Sequence, residues 1–158
     1  MLFERFIFGI FSLYLLHPGC MSCPKVPLYQ YHYVNLLLSW SDAQQYCREE
    51  YTDLATFESM DDLMRLKAKF SYSVAWFGLH DDPAAWRTSM GNESNSWRWS
   101  ATGQHSRTGF QSWDSNNPDY YLGEETCVMI FSTHGWADEL CSYKRVFICH
   151  QGDLQKKS

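Results

Sequence analysis

Four side chains in the second half of this chain are the ones whose types and spacing could do chemistry: Asn117, Asp119, Glu125 and Asp138. Carboxylates and amides are hard oxygen donors, and a cluster of them can hold a hard cation. Calcium takes six to eight oxygens at roughly 2.3–2.6 Å and tolerates the irregular geometry that loops provide. All four residues sit in loop-like sequence context; Cys127 and Cys141 bracket Asp138, and Glu125 stands two residues before the first of them. The plainer reading of Asn117-Pro118-Asp119 is a surface turn, since Asn, Pro and Asp are turn formers. Asp81 and Asp82 precede Pro83 and read as the turn that ends a strand. Catalytic constellations are lacking: there is no Gly-x-Ser-x-Gly elbow, no His-Glu-x-x-His helix and no phosphate-cradling glycine loop. Paired carboxylates alone do not supply the positioned acid that hydrolysis needs. Histidines 32, 80, 105, 134 and 150 show no zinc-ligand spacing.

The elements that must position the four residues can be read from periodicity and capping. Tyr29 to Val34 alternates aromatic and polar residues, a half-buried strand pattern. Ser41 with Gln44 makes a capping box, predicting a helix that begins there and carries Ala43, Tyr46, Cys47 and Leu54 at near-helical spacing. Ser59 with Asp62 repeats the signal and leads a stripe of Leu63, Leu66 and Phe70. Val74 to Leu79 is a short apolar run suited to a buried strand. From Pro83 to Pro118 the chain is rich in Ser, Asn, Gly and Trp and reads as loop, with only Trp97 and Trp99 alternating. Cys127 to Phe131 and Arg145 to Cys149 read as closing strands, and the polar tail from Gln151 to Ser158 as a frayed end.

Composition narrows the class. Residues 1–22 read as a signal peptide: the apolar run from Phe6 to Leu16 is too short for the roughly 20 residues a spanning helix needs. No second run follows, so a secreted product without a membrane span after leader cleavage is expected. What remains, residues 23–158, is the size of one domain, with a core expected over about 31–150. Seven Trp, ten Tyr and ten Phe suffice to fill it, so Trp86, Trp97, Trp99, Trp113 and Trp136 are read as core or loop anchors rather than a ligand-stacking row. A net charge of -5 argues against nucleic acid as a partner. Six cysteines behind a leader indicate the oxidising secretory route. If Cys20 and Cys23 leave with the leader, four cysteines allow three pairings between which the sequence does not choose. A surviving Cys23 would leave an odd thiol for intermolecular pairing. Asn92-Glu93-Ser94 is an N-glycosylation sequon, so a glycoprotein is expected.

The order Trp113, Asn117-Pro118-Asp119, Glu125-Thr126-Cys127, Trp136-Ala137-Asp138, together with Trp76-Phe77-Gly78-Leu79 and the four cysteines, resembles the C-type lectin-like domain family from about Tyr31 to His150. The resemblance implies an α+β fold with two helices, antiparallel sheets and a long-loop region, stapled by Cys47–Cys149 and Cys127–Cys141. It also implies a calcium ion held by Asn117, Asp119, Glu125 and Asp138, with two neighbouring hydroxyls of a sugar completing the coordination. Asn117 before Asp119 keeps the amide-then-acid order of galactose-type members, and Tyr121 lies where those members place a stacking aromatic, though the glycine-rich stretch that supports it is missing. Where the family carries Trp-Asn-Asp, this chain has Ala137, which offers no side-chain oxygen; about five protein oxygens remain, short of the usual six to eight. The family's other calcium position is poorer still, with Tyr120 and Thr126 where acids would help. The expected partner is therefore a carbohydrate or glycoprotein, with calcium as a weakened cofactor. The alternative is a calcium-independent lectin-like domain that binds a protein ligand.

Overall fold

A computed structural model describes residues 29–67, 72–82 and 96–152. The leader, Cys20, Cys23, Phe70, Trp86, Asn92 and the tail beyond Gly152 lie outside the described residues. Among the described residues seven strands and two α-helices follow one another as β1 (Gln30–Leu38), α1 (Trp40–Glu50), β2 (Asp53–Leu54), α2 (Met60–Lys67), β3 (Val74–Asp81), β4 (Trp97–Trp99), β5 (Glu125–Phe131), β6 (Trp136–Leu140) and β7 (Arg145–Gln151). The sheet runs β1-β7-β3-β5-β6, with β2 beside β7 and β4 beside β3. Between these strands each pairing is antiparallel except the β3–β7 contact at Trp76 and Phe147, which makes the sheet mixed, and Trp113 adds an isolated parallel bridge to Trp136.

Because side chains alternate across a strand, the central strands feed two separate cores. Ala75, Phe77 and Leu79 of β3, Val128 and Ile130 of β5, Trp136 of β6 and Ile148 of β7 join Leu63 and Leu66 of α2 in one apolar cluster. The intervening residues Trp76, Cys127, Met129, Ala137, Phe147 and Cys149 join Trp40, Ala43 and Cys47 of α1 in the other. Gly78 is the close-approach point between layers: a Cβ there would stand 2.9 Å from the carbonyl oxygens of Leu54 and Ala55, and its N–H donates to Ala55 at 2.9 Å.

The first helix starts two residues before the sequence-based position. Ser39, not Ser41, is the N-cap: its Oγ accepts from the Asp42 N–H at 3.3 Å and donates to the Asp42 carboxylate at 2.6 Å. The earlier start buries Trp40, whose indole N–H donates to the Phe77 carbonyl at 2.8 Å. Gln44 is released from capping and donates to Ser100 Oγ at 2.7 Å. Leu54 belongs to β2 rather than to the helix. Ser59 caps α2 as expected, and the Asp62 carboxylate accepts from the Glu58 N–H at 2.9 Å and the Ser59 hydroxyl at 3.0 Å. Within the stretch read as loop, Trp97 and Trp99 form a true strand that pairs with the end of β3 after its register with β5 breaks.

Both disulfides of the family pattern are formed, Cys47–Cys149 across 102 residues and Cys127–Cys141 across 14. The first ties α1 to β7, and the second fixes β5 beside the end of β6.

Candidate functional site

Glu125 opens β5 and Asp138 lies within β6, so two of the acids expected in loops are held by strands. The ladder sets Glu125 against Leu140 and Val128 against Asp138, with an irregularity between Glu125 and Cys127. Asp138 shares a strand face with Trp136, two residues earlier, while Ala137 points the other way into the second apolar cluster. Asp119 reaches the same place from the preceding loop. One carboxylate oxygen of each of Asp119, Glu125 and Asp138 lies within 4.8 Å of the others. Two oxygens on opposite sides of one calcium stand about 5 Å apart at the usual bond length, so the three acids are spaced as a shared cation requires.

The loop that brings Asp119 in is fastened by its own backbone. The two oxygens of Asp138 accept from the N–H groups of Asp119, at 3.0 Å, and Tyr120, at 2.8 Å. Glu125 accepts from the Tyr121 N–H at 3.0 Å. Tyr120 and Leu122 hold left-handed backbone, with φ of 51° and 55°. Such non-glycine positions cost roughly 1–3 kcal/mol each and persist where surrounding contacts over-determine them. Here those contacts are the three N–H bonds to carboxylates and the Tyr120 ring, whose centre lies 5.6 Å from that of Trp97. The peptide between Asn117 and Pro118 is cis. Asn117 makes a turn, its N–H donating to Asp114 at 3.0 Å and its side-chain amide to the Ser115 carbonyl at 3.4 Å.

Three acids in one place carry an electrostatic cost. Burial, partly offset by the Tyr121 N–H and reinforced by Asp138 and Asp119, pushes the Glu125 carboxyl up to about 7. Burial also raises Asp138, against the lowering effect of the N–H bonds from Tyr120 and Asp119. A divalent cation among the three groups would remove both penalties, so the donor set fits calcium in kind and in spacing. Tyr121 is 64% exposed and Leu122 77%, forming an apolar tip beside the acids.

Part of the site is made by backbone groups, which residue types do not reveal. The three consecutive N–H donors at 119–121 carry no side-chain signature. Trp97, Trp99 and Trp136 are buried as anchors and Trp113 packs partly buried against them. Asp81 is buried within β3 rather than in a turn, because β4 extends the sheet alongside it.

The fold has close counterparts among solved structures. Human lithostathine superposes with a TM-score of 0.63 at 23% identity over 87% of this chain and 96% of its own. The mouse scavenger receptor C-type lectin carbohydrate-recognition domain gives 0.64 at 19% over 83% and 98%, and a calcium-independent type II antifreeze protein 0.63 at 18% over 86% and 98%. These define the class as a C-type lectin-like fold. In sequence, the profile of the Lectin C-type domain matches residues 37–151. The C-type lectin BiL of Bothrops insularis is 30% identical over 92% of this chain and 96% of its own length, and the C-type lectin Cal of Crotalus atrox 30% over 75% and 87%. The chain belongs to the C-type lectin domain family, a family of carbohydrate-recognition domains, and is a binding module rather than an enzyme. Among the described residues no helix is long and apolar enough to cross a membrane.

Proposed function

We propose that this protein is a secreted carbohydrate-binding lectin in which Asp119, Glu125 and Asp138, joined by Asn117, seat one calcium ion beside a galactose-type sugar. The observation that carries this reading is the convergence of the three carboxylate oxygens to within 4.8 Å. A bound calcium supplies the charge that the acids lack and open positions for two neighbouring sugar hydroxyls. The chain's own part is to hold three anionic oxygens on two strands and one loop, and to keep that loop in place through Asp138 and Glu125. Asn117 before Asp119 sets the amide-then-acid order that favours galactose, and the exposed Tyr121 ring offers a face for its apolar side.

One observation favours the second reading, a calcium-independent domain with a protein ligand. Ala137 is 4% exposed in the second apolar cluster and contributes no side-chain oxygen, so the acids must serve without that donor. Chromatography on immobilised galactose and mannose, in calcium and then in chelator, separates the two. Retention on galactose that chelator abolishes is the expected result, with Asp138→Asn losing both retention and the calcium-dependent rise in melting temperature. Absence of retention on either resin, with a melting temperature indifferent to calcium, would transfer the function to a protein partner.

A further inference from the structure

The apex of the loop that carries Asp119 is apolar. Tyr120 to Glu124 close a tight turn, with the Gly123 N–H donating to the Tyr120 carbonyl at 2.8 Å and the Glu124 N–H to that of Tyr121 at 3.3 Å. At its head stand Tyr121, 64% exposed, and Leu122, at 77% the most exposed large apolar side chain among the described residues. Neither belongs to the two apolar clusters. Leu122 also holds left-handed backbone, with φ of 55°, which glycine, asparagine and aspartate adopt more readily than a branched aliphatic residue. The bonds from the Tyr120 and Tyr121 N–H groups to carboxylates fix that backbone without calling for leucine at the position. An apolar residue that is both strained and presented to water costs stability twice, and strain of this kind gathers at ligand sites. Leu122 is also close to the acids: it lies three residues from both Asp119 and Glu125, so its Cα stands within about 11 Å of theirs.

We propose that Leu122 is a specificity-determining residue that selects galactosides whose anomeric carbon carries an alkyl chain. The inference rests on the calcium-and-galactose reading of the acids. On that reading two neighbouring sugar hydroxyls meet the ion, and the apolar side of the ring meets Tyr121. The remaining hydroxyls gain nothing from leucine, since burying them against an aliphatic surface without hydrogen-bond partners is unfavourable. What a saccharide can add beside them that is apolar is its aglycone. An alkyl aglycone lying across Leu122 takes apolar surface of both out of water, and each methylene so covered is worth about fourfold in affinity. Covering the equivalent of one or two methylenes at this open tip gives about a tenfold preference over a galactoside without the chain. The acids then choose the sugar, and the tip chooses what the sugar is attached to.

The test uses the full chain, nitrogen-15 labelled, titrated in calcium with methyl β-galactoside and with octyl β-galactoside below its micelle-forming concentration, and again in chelator. Octyl galactoside is expected to bind about tenfold more tightly than methyl galactoside, to shift the amide signals of residues 121–123, and to lose its binding in chelator. Leu122→Asn should bring the two affinities together. Because asparagine accepts left-handed backbone, the melting temperature of this variant in chelator should match or exceed that of the unaltered chain. Calcium-dependent binding of methyl galactoside with no gain from the octyl chain would overturn the proposal and leave the sugar reading standing. Absence of calcium-dependent binding by either compound would overturn both. A preference that survives Leu122→Asn, octyl galactoside binding that persists in chelator, or a variant that melts well below the unaltered chain, as loss of a packed side chain would produce, would each overturn the proposal as well.

Discussion

The part of the molecule built on β1, α1 and β7 and the loops spanning residues 100–125 are held by different balances of force. In the first, Cys47–Cys149 and the cluster around Trp76 and Phe147 join elements far apart in sequence. In the second, side chains bind backbone and hydroxyl groups one by one. Asp138 and Glu125 hold the loop at 119–121, and the Glu58 side chain accepts from the Ser106 and Thr108 hydroxyls at 3.1 and 3.3 Å. Ser100 donates to the buried Asp53 carboxylate, which also receives the Arg48 guanidinium at 2.8 Å. Apolar and covalent links set how stable the domain is; directional polar links set where the loop residues stand.

Removing the disulfides is the largest way to test that division. Chain entropy assigns about 4.7 kcal/mol to a loop of about 100 residues and about 3 kcal/mol to one of about 15. Cys47→Ala with Cys149→Ala should therefore lower unfolding free energy in urea more than Cys127→Ala with Cys141→Ala. The second pair should take the larger toll on calcium-dependent galactose retention, because it lies beside the acids. The reverse order in either assay breaks the comparison. Gly78→Ala comes next: its methyl would meet the Leu54 and Ala55 carbonyls at 2.9 Å, and overpacking of this kind costs about 1–3 kcal/mol. Denaturant midpoints should fall while retention on galactose is kept. Ser59→Ala removes the α2 cap for about 1 kcal/mol, again without effect on retention.

The smallest effect is a slope. Because Glu125 titrates near 7 in the folded protein against 4.5 ordinarily, the folded state binds the extra proton between those values. Stability from this group is full below about 4.5 and is lost as pH rises through 7. In chelator, the melting temperature should decline across that window, and Glu125→Gln should flatten the decline. Calcium should also flatten it at pH 8 and lose its grip as protons compete below 7. A calcium-free profile of the unaltered chain identical to that of Glu125→Gln would remove the electrostatic cost from the account.

The sequence conveyed the apolar part better than the polar part, for physical reasons. Ser59 was readable as a cap because its partner Asp62 lies on the same turn. Ser39 and Ser41 each have a polar partner three residues on, Asp42 and Gln44; what decides between them is the burial of Trp40 beneath β3, a contact 37 residues away. The two-residue β2 is too short to show a period. Asp138 and Glu139 sit side by side and gave β6 the look of a loop, yet Asp138 is tolerated inside because two backbone N–H groups meet it. The disulfide pairs came from family resemblance, since four cysteines by themselves leave three choices. The identity of the acids was legible from residue type, whereas their convergence was implied only by the family resemblance, because it depends on strand register.

The grip of Asp138 on the Asp119 and Tyr120 N–H groups lets the chain's own bonds hold the loop in place. Ordering costs are then met during folding rather than at capture. Arrival of a cation would be a matter of shedding its water and displacing a proton, with kinetics that track ion concentration in one phase, and the apo protein would already present the surface its ligand meets.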